Sequence, residues 1–64
     1  MFVRLERIQK SQEIIIVDEI DRVIGTVKEI DFFFNCVDTE KEPLEEDDYL
    51  FYCVDYNCLK TILL

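Results

Sequence analysis

The side chains that come closest to a chemical site in this sequence are three cysteines and a dense group of carboxylates. Histidine is absent, so the usual proton carrier near neutral pH is missing, and the single serine, Ser11, has no histidine base to activate it. Cys53 and Cys58 have four residues between them, whereas the cysteine pairs of redox and zinc sites have two. Cys36 is a possible third ligand for a metal, but a fourth ligand is not evident. We therefore expect the three cysteines to be small apolar side chains of the core.

The carboxylates do not form a catalytic or cation-binding pattern. The run Glu45–Asp48 is contiguous, lacks the alternate spacing of a calcium loop and has no glycine for the turn. The single glycine also excludes phosphate-cradling loops and dinucleotide fingerprints. Paired catalytic carboxylates need a cleft, for which 64 residues leave little room. We expect a protein that is not an enzyme and that has no cofactor and no dedicated metal site.

Charge is the most informative property of the chain, because its net value of −8 is concentrated in one segment. Residues 38–48 hold seven carboxylates against Lys41 alone, a net of 1 − 7 = −6. Such a surface repels nucleic acids and anionic membranes, so we expect neither as a ligand and instead predict a basic protein partner. The alternative is that the charge only keeps a small domain soluble. The predicted partner-binding residues are Asp38, Glu40, Glu42, Glu45, Glu46, Asp47 and Asp48, with Asp18, Glu19 and Asp21 as a second, smaller cluster.

The first elements that must position these acids read as strands. Residues 2–8 alternate, with Val3 and Leu5 on one face and Arg4 and Glu6 on the other. The β-branched run from Ile14 to Val17 resists a helix and suits a buried strand.

The middle of the chain admits two interpretations. Between residues 18 and 31, apolar residues recur at helical spacing, which predicts a helix there. The alternative, which we favour, is a turn at Asp21-Arg22 followed by a strand from Val23 through Val37, with Gly25 at a bend or bulge.

The last third of the chain predicts an acidic loop and a hairpin. Residues 38–48 contain the only proline, Pro43, and read as a loop. Tyr49 to Tyr56 reads as a strand, and Cys58 to Leu64 as its partner, with a tight turn at Tyr56-Asn57. The expected fold is one domain over residues 1–64 and is mostly β: a small curved antiparallel sheet or an open barrel of about five strands. The alternative is an α+β fold with a helix at about 18–31.

Small size and abundant apolar residues predict self-association. A chain of 64 residues buries only about 60% of the surface that its unfolded form exposes. In a strand, Phe33 points away from Phe32 and Phe34, so both faces need cover. We expect a homodimer, which is the commonest oligomer.

The N-terminal segment and the cysteines also predict a location. The first residues lack the long apolar core of a signal peptide, and an odd number of cysteines does not make a disulfide framework. We expect a cytoplasmic protein with reduced thiols.

The small size, strong acidity and local carboxylate run centred on residues 38–48 resemble the phage-encoded DNA-mimic proteins, such as the acidic inhibitor of HU-type nucleoid proteins. This resemblance implies a host-takeover protein, in the host cytoplasm if phage-encoded, whose carboxylates replace DNA phosphates on a basic DNA-binding protein. The alternative is an adaptor that binds a host enzyme, such as RNA polymerase or a nuclease, through an apolar strand edge.

Overall fold

The computed structural model describes residues 1–38 and 40–64 and forms one open antiparallel sheet of five strands with two short helices. The strand order across the sheet is β3-β2-β1-β5-β4. This arrangement confirms the predicted mostly-β fold with a small curved sheet. The elements in chain order are β1 (Phe2–Arg7), β2 (Glu13–Asp18), β3 (Val23–Lys28), α1 (Glu29–Asn35), β4 (Leu44–Glu46), β5 (Tyr49–Cys53) and α2 (Tyr56–Ile62).

The first three strands form a meander whose alternation follows the sequence. In β1, Val3 and Leu5 face the core, while Arg4 and Glu6 lie on the opposite face of the sheet. The register between β2 and β3 shifts beside Gly25, because Ile16 pairs with Gly25 whereas Val17 pairs with Val23. Residue 24 is therefore an extra residue on β3, and the predicted bulge near Gly25 is confirmed.

Both helices cover one face of the sheet and leave the other face open. Phe32 of α1 and Leu59 of α2 are fully buried against the sheet. Leu63 comes so close to Gly25 that a Cβ there would lie 2.8 Å from a Leu63 methyl carbon. The buried core cluster comprises Val3, Ile14, Ile16, Val27, Phe32, Cys36, Val54 and Leu59.

The middle of the chain corrects both interpretations of residues 18–37. The helix expected at about 18–31 is wrong, because residues 23–28 pair with β2 as a strand. The favoured strand from Val23 through Val37 is too long, since it ends at Lys28 and α1 follows at once. In the helix, Phe32 and Cys36 lie one turn apart on the same side, and both reach the core. A strand would also place these two residues on one face, but it would turn the bulky Phe33 to the opposite face.

The end of the chain corrects the predicted C-terminal hairpin. Strand β5 ends at Cys53, and the segment predicted as its partner lies instead mainly in α2. Asp55 begins that helix, since its carboxylate accepts a hydrogen bond of 2.9 Å from the Asn57 N–H, as an N-cap does. Leu59 then faces the core.

The acidic segment 38–48 is not a loop throughout. Leu44–Glu46 form β4, which pairs with β5 through a two-residue turn at Asp47 and Asp48. Within this segment Thr39 lies outside the described residues. The observed hairpin is therefore one element earlier in the chain than the hairpin that the sequence predicts.

The Asp47-Asp48 turn yields a prediction about stability. Both residues have positive φ, 49° and 69°, which is the backbone of a type I′ turn and favours glycine at the second position. We expect Asp48→Gly to raise the free energy of unfolding in urea by about 0.5–1 kcal/mol, because the Cβ at positive φ is removed. Asp48→Ala is the matched control, since it removes the same charge but keeps the Cβ. Equal stabilisation by both variants would contradict backbone strain as the cause.

Candidate protein-binding face

The centre of the helix-free face of the sheet is an arginine. Arg4 lies in the middle strand, where its register partners are Val17 on β2 and Phe51 on β5, both of them buried. These neighbours leave only 10% of the Arg4 side chain exposed. A guanidinium that is removed from water in this way needs anionic partners, and the structure provides them.

Arg4 holds two carboxylates and an aromatic ring. Its Nη2 lies 2.7 Å from Asp21 Oδ1 and 3.1 Å from Glu6 Oε1. Its guanidinium carbon lies 4.6 Å from the centre of the Tyr49 ring, within the range of a cation–π contact. Nη1 is buried and donates no hydrogen bond to residues 1–38 or 40–64, and the Tyr49 ring compensates part of the guanidinium charge. Arg4 thereby links the β2–β3 turn, β1 and β5.

Two acidic turns that are distant in sequence meet around this arginine. A hollow of about 160 Å³ on the open face is bordered by Glu19 and Asp21 from the β2–β3 turn and by Glu46 and Asp47 from the β4–β5 hairpin. The two acidic clusters predicted from the sequence therefore contribute to one surface. We call it the acidic face and define it as Arg4 with Glu6, Glu19, Asp21, Glu46 and Asp47, a local charge of 1 − 5 = −4.

Several predicted partner-binding residues lie away from the acidic face. Asp38 sits at the opposite end of β5, where its N–H donates to the Cys53 carbonyl and its carboxylate accepts from the Glu40 N–H. Glu45 pairs with Leu50 and therefore shares the helix side of the sheet rather than the open face. The other predicted acids outside the face, Glu40 and Glu42, are exposed in the segment before β4, and Asp48 borders a different hollow.

The sequence interpretation missed Arg4 and Glu6 as members of the site. Both were placed correctly on the non-core face of β1, and that placement was the available signal. An arginine in the middle of a strand with apolar neighbours needs carboxylates close to it when the strand is buried. The two acidic clusters were candidate sources of such carboxylates.

Asp18 has a structural role rather than a place in the acidic face. Its carboxylate accepts hydrogen bonds from the backbone N–H groups of Arg22 at 2.9 Å and Ile20 at 3.0 Å, and from the Arg22 Nε at 3.0 Å. The bond from the Arg22 N–H is the main cause that lowers the pKa of Asp18 below its ordinary value of 3.8, against a smaller opposing effect of burial. Asp18 thus fixes the turn that carries Glu19 and Asp21.

The cysteines match the prediction of core residues in part. All three are free; Cys36 is buried and Cys58 packs against the core cluster. Burial raises the pKa of the Cys36 thiol, and Cys58 and Asp55 nearby raise it further. Cys53 differs, since it pairs with Phe2 on the open face and its Sγ lies 3.8 Å from Lys41 Nζ.

Comparison of the chain with protein-family models, with curated proteins and with solved structures finds no match. Among residues 1–38 and 40–64, no three His, Cys, Asp or Glu side chains are grouped so that they could hold a metal ion. The same described residues contain no helix with the length and apolar character needed to cross a membrane.

The buried arginine gives a prediction about stability and salt. Arg4→Met keeps the apolar stem but leaves the carboxylates of the acidic face without a central cation, so we expect it to lower the free energy of unfolding by about 1–3 kcal/mol at low salt. The loss should shrink in about 1 M NaCl, where charge repulsion is screened over about 3 Å. Urea unfolding at both salt concentrations measures this, with Arg4→Lys as the control that retains the charge. If the loss of unfolding free energy in Arg4→Met did not depend on salt, Arg4 would stabilise the fold by packing only.

The lowered pKa of Asp18 gives a prediction about pH. Because the folded-state pKa lies below the unfolded value, the stability that Asp18 contributes is present above about pH 3.8 and is lost as the pH falls through the folded-state pKa. We expect Asp18→Asn to lower the free energy of unfolding at pH 7, and this difference from wild type should vanish in strong acid. Urea unfolding of both proteins over a pH series measures it.

Asp18→Ala is the companion variant, because it also removes the oxygen that accepts the two backbone hydrogen bonds. It should cost more than Asp18→Asn at pH 7. A difference between wild type and Asp18→Asn that stays constant down to strong acid would show that the charge of Asp18 does not stabilise the turn.

Proposed function

We propose that this chain is a non-enzymatic inhibitor that mimics DNA: its acidic face binds a basic DNA-binding protein and blocks the nucleic-acid site of that protein. The observation that carries the proposal is the convergence of two acidic turns around Arg4. A charge that served only solubility needs no such arrangement, because scattered carboxylates keep a domain soluble equally well.

The acidic face is prepared for binding before a partner arrives. Asp18 fixes one turn through three hydrogen bonds, and the short hairpin between β4 and β5 fixes the other. Asp21 stays 80% exposed although it contacts Arg4, so its second oxygen is free for a partner's arginine or lysine. Because the backbone of both turns is already fixed, it loses little conformational entropy on binding, which favours affinity.

The charge density supports mimicry of a short stretch of duplex. The longest dimension of the molecule is 25 Å. Duplex DNA carries one negative charge per ~1.7 Å of axis, so a stretch of this length holds roughly 15 charges. The chain carries −8 in total, about half of that number. One copy therefore replaces the phosphates along a limited part of a DNA-binding surface, and attraction to the basic partner is governed by charge and is sensitive to salt.

The sheet edges give little support to the alternative of an adaptor that pairs through a strand edge. On the outer edge of β3, the Thr26 carbonyl already accepts a hydrogen bond of 2.9 Å from the Leu64 N–H. On the other edge, β4 has three residues, two of them glutamates, and Pro43 precedes it. Short, charged edges with a nearby proline discourage the addition of a strand.

A charge-reversal experiment tests the proposal. The probe is a purified HU-type nucleoid protein bound to a fluorescent DNA duplex, and the readout is displacement of the DNA, followed by fluorescence anisotropy. We expect Glu19→Lys/Glu46→Lys/Asp47→Asn to weaken displacement about 100-fold or more, because five units of negative charge leave the acidic face while Asn tolerates the positive φ at position 47.

The matched control changes the same charge elsewhere. Glu40→Lys/Glu42→Lys/Glu45→Gln also removes five units of negative charge, but from exposed acids outside the acidic face. It should weaken displacement less than about 10-fold. If both variants weakened DNA displacement equally, net charge alone, and not the acidic face, would explain the binding. Displacement by the wild type should also weaken steeply with salt, and displacement that persists at high salt would contradict mimicry.

A further inference from the structure

The outer side of α1 exposes large apolar side chains. The helix buries Phe32, but its spacing turns Ile30 and Phe34 to solvent, where they are 74% and 88% exposed, and leaves Phe33 at the border. No other large hydrophobic side chain among the described residues is as exposed as Phe34. A contiguous group of this kind on a small soluble domain marks an interaction surface.

A hollow lies beside these residues, where the sheet opens. Strand β1 pairs with β5 only from Phe2 to Arg4, and beyond that point the two strands separate. The gap forms a hollow of about 260 Å³. Its lining is mixed: Leu5, Phe33, Leu50 and Tyr52 are the apolar and aromatic part on the helix side, and Arg4, Arg7, Asp48 and Tyr49 complete it. The Phe33 ring stands edge-on to Tyr52 with 5.6 Å between ring centres, which keeps one wall in place. A cavity of about 150 Å³ admits benzene, so this hollow has room for a phenyl ring.

We infer that this surface binds a second copy of the chain. The surface, which we call the Phe34 surface, consists of Ile30, Phe33, Phe34 and Leu50. Phe33 lines the hollow, and the exposed Phe34 is the next residue of the same helix. An exposed ring on the helix that borders a hollow of ring size makes the surface self-complementary. In a two-fold pair each Phe34 enters the hollow of the other copy, so that the same contact is made twice.

The distribution of charge makes a second copy the occupant. The acidic face occupies the open side of the sheet, whereas α1 lies on the covered side. Two copies that each carry −8 approach with least repulsion through the side away from those carboxylates. On the Phe34 side the carboxylate of Glu29 already pairs with the Arg7 guanidinium. The charged side chains that line the hollow, Arg4, Arg7 and Asp48, are of both signs. The hollow therefore has no strong excess of acids that would select a basic partner, and an apolar surface of a second copy matches it better.

The apolar area is sufficient for the core of a modest dimer interface. With Phe34 88%, Ile30 74% and Leu50 45% exposed, the surface offers roughly 400–500 Å² of apolar area per copy on the scale of a large side chain. A standard interface buries about 800 Å² per partner, including a polar rim, and Lys28, Asp31 and Asn35 border the patch as such a rim.

Sedimentation equilibrium at about 0.1 M and about 1 M NaCl, where the Debye length falls from ~10 to ~3 Å, tests the inference. We expect the wild type to approach twice its mass of 7.7 kDa, and to associate more tightly at high salt because repulsion between the copies is screened. Phe34→Ser should weaken association about 100-fold or more, since both copies lose their central side chain. Its fold should persist, because Phe34 makes little contact with the core.

A second variant and a control separate the Phe34 surface from general hydrophobicity. Leu50→Ser alters the hollow from a different element and should weaken association as Phe34→Ser does. Ile20→Ser removes an exposed apolar side chain at the β2–β3 turn and should leave the dimer unchanged. A wild type that stays monomeric at high salt, a Phe34→Ser variant that remains dimeric, or an effect of Ile20→Ser equal to that of Phe34→Ser each overturns the inference. Binding of a monomeric wild type to neutral phosphatidylcholine vesicles through Phe34 overturns the second copy as the occupant.

The inference stands apart from the proposed function. The variant with a reversed acidic face should still dimerise, because its substitutions lie on the other side of the sheet. Phe34→Ser should still displace DNA from the HU-type protein at a matched concentration of chains, though without any gain from two linked copies.

Discussion

The pairing of a nearly buried guanidinium with one carboxylate of its own strand and one of the β2–β3 turn is the interaction on which the open side of this molecule depends. Arg4 belongs to the central strand, so its position is set by the strands on either side, Val17 on one and Phe51 on the other. An uncompensated cation in that place is costly, and the compensation comes from Asp21, Glu6 and the ring of Tyr49. The need to compensate one arginine therefore holds Glu6 and Asp21 close together against their mutual repulsion.

Covering the sheet on one side only divides the surface into two chemically different halves. The helices supply Phe32 and Leu59 to the core, and the open side is closed instead by the stem of Arg4 and the aromatic rings around it. The acidic face lies on the open side, and four of its five carboxylates come from the tips of two hairpins. Apolar side chains that the short core cannot accommodate collect on the outer side of α1. A chain of 64 residues thus carries two surfaces of opposite character on opposite sides of a single sheet.

The sequence predicts the sheet better than the helices, for a physical reason. Alternation in β1 and the β-branched run in β2 identify strands, because a period of two has one structural meaning. The run Phe32-Phe33-Phe34 has no such period, and only the tertiary position of Phe32 decides for a helix. Near residue 55, two local patterns compete. Asp55 is a residue type that caps helices, and it does so in the structure, whereas the aromatic residues before it predict a strand that continues to Tyr56. The acidic clusters were identified by composition, whereas their meeting depended on register, which no local pattern contains.

The position of β1 has a consequence for how the chain reaches its native state. β1 is the first strand in sequence, yet it lies at the centre of the sheet, and its pairing of Val3 with Tyr52 joins residues 52 − 3 = 49 positions apart. Closing so long a segment is entropically slow compared with forming the β1–β2–β3 meander. During synthesis the meander therefore forms while one edge of β1 is still unpaired, and the Arg4 guanidinium then lacks its contact with the Tyr49 ring of β5. The native sheet becomes accessible only when β5 has left the ribosome, so the central strand is completed well after the meander has been synthesised.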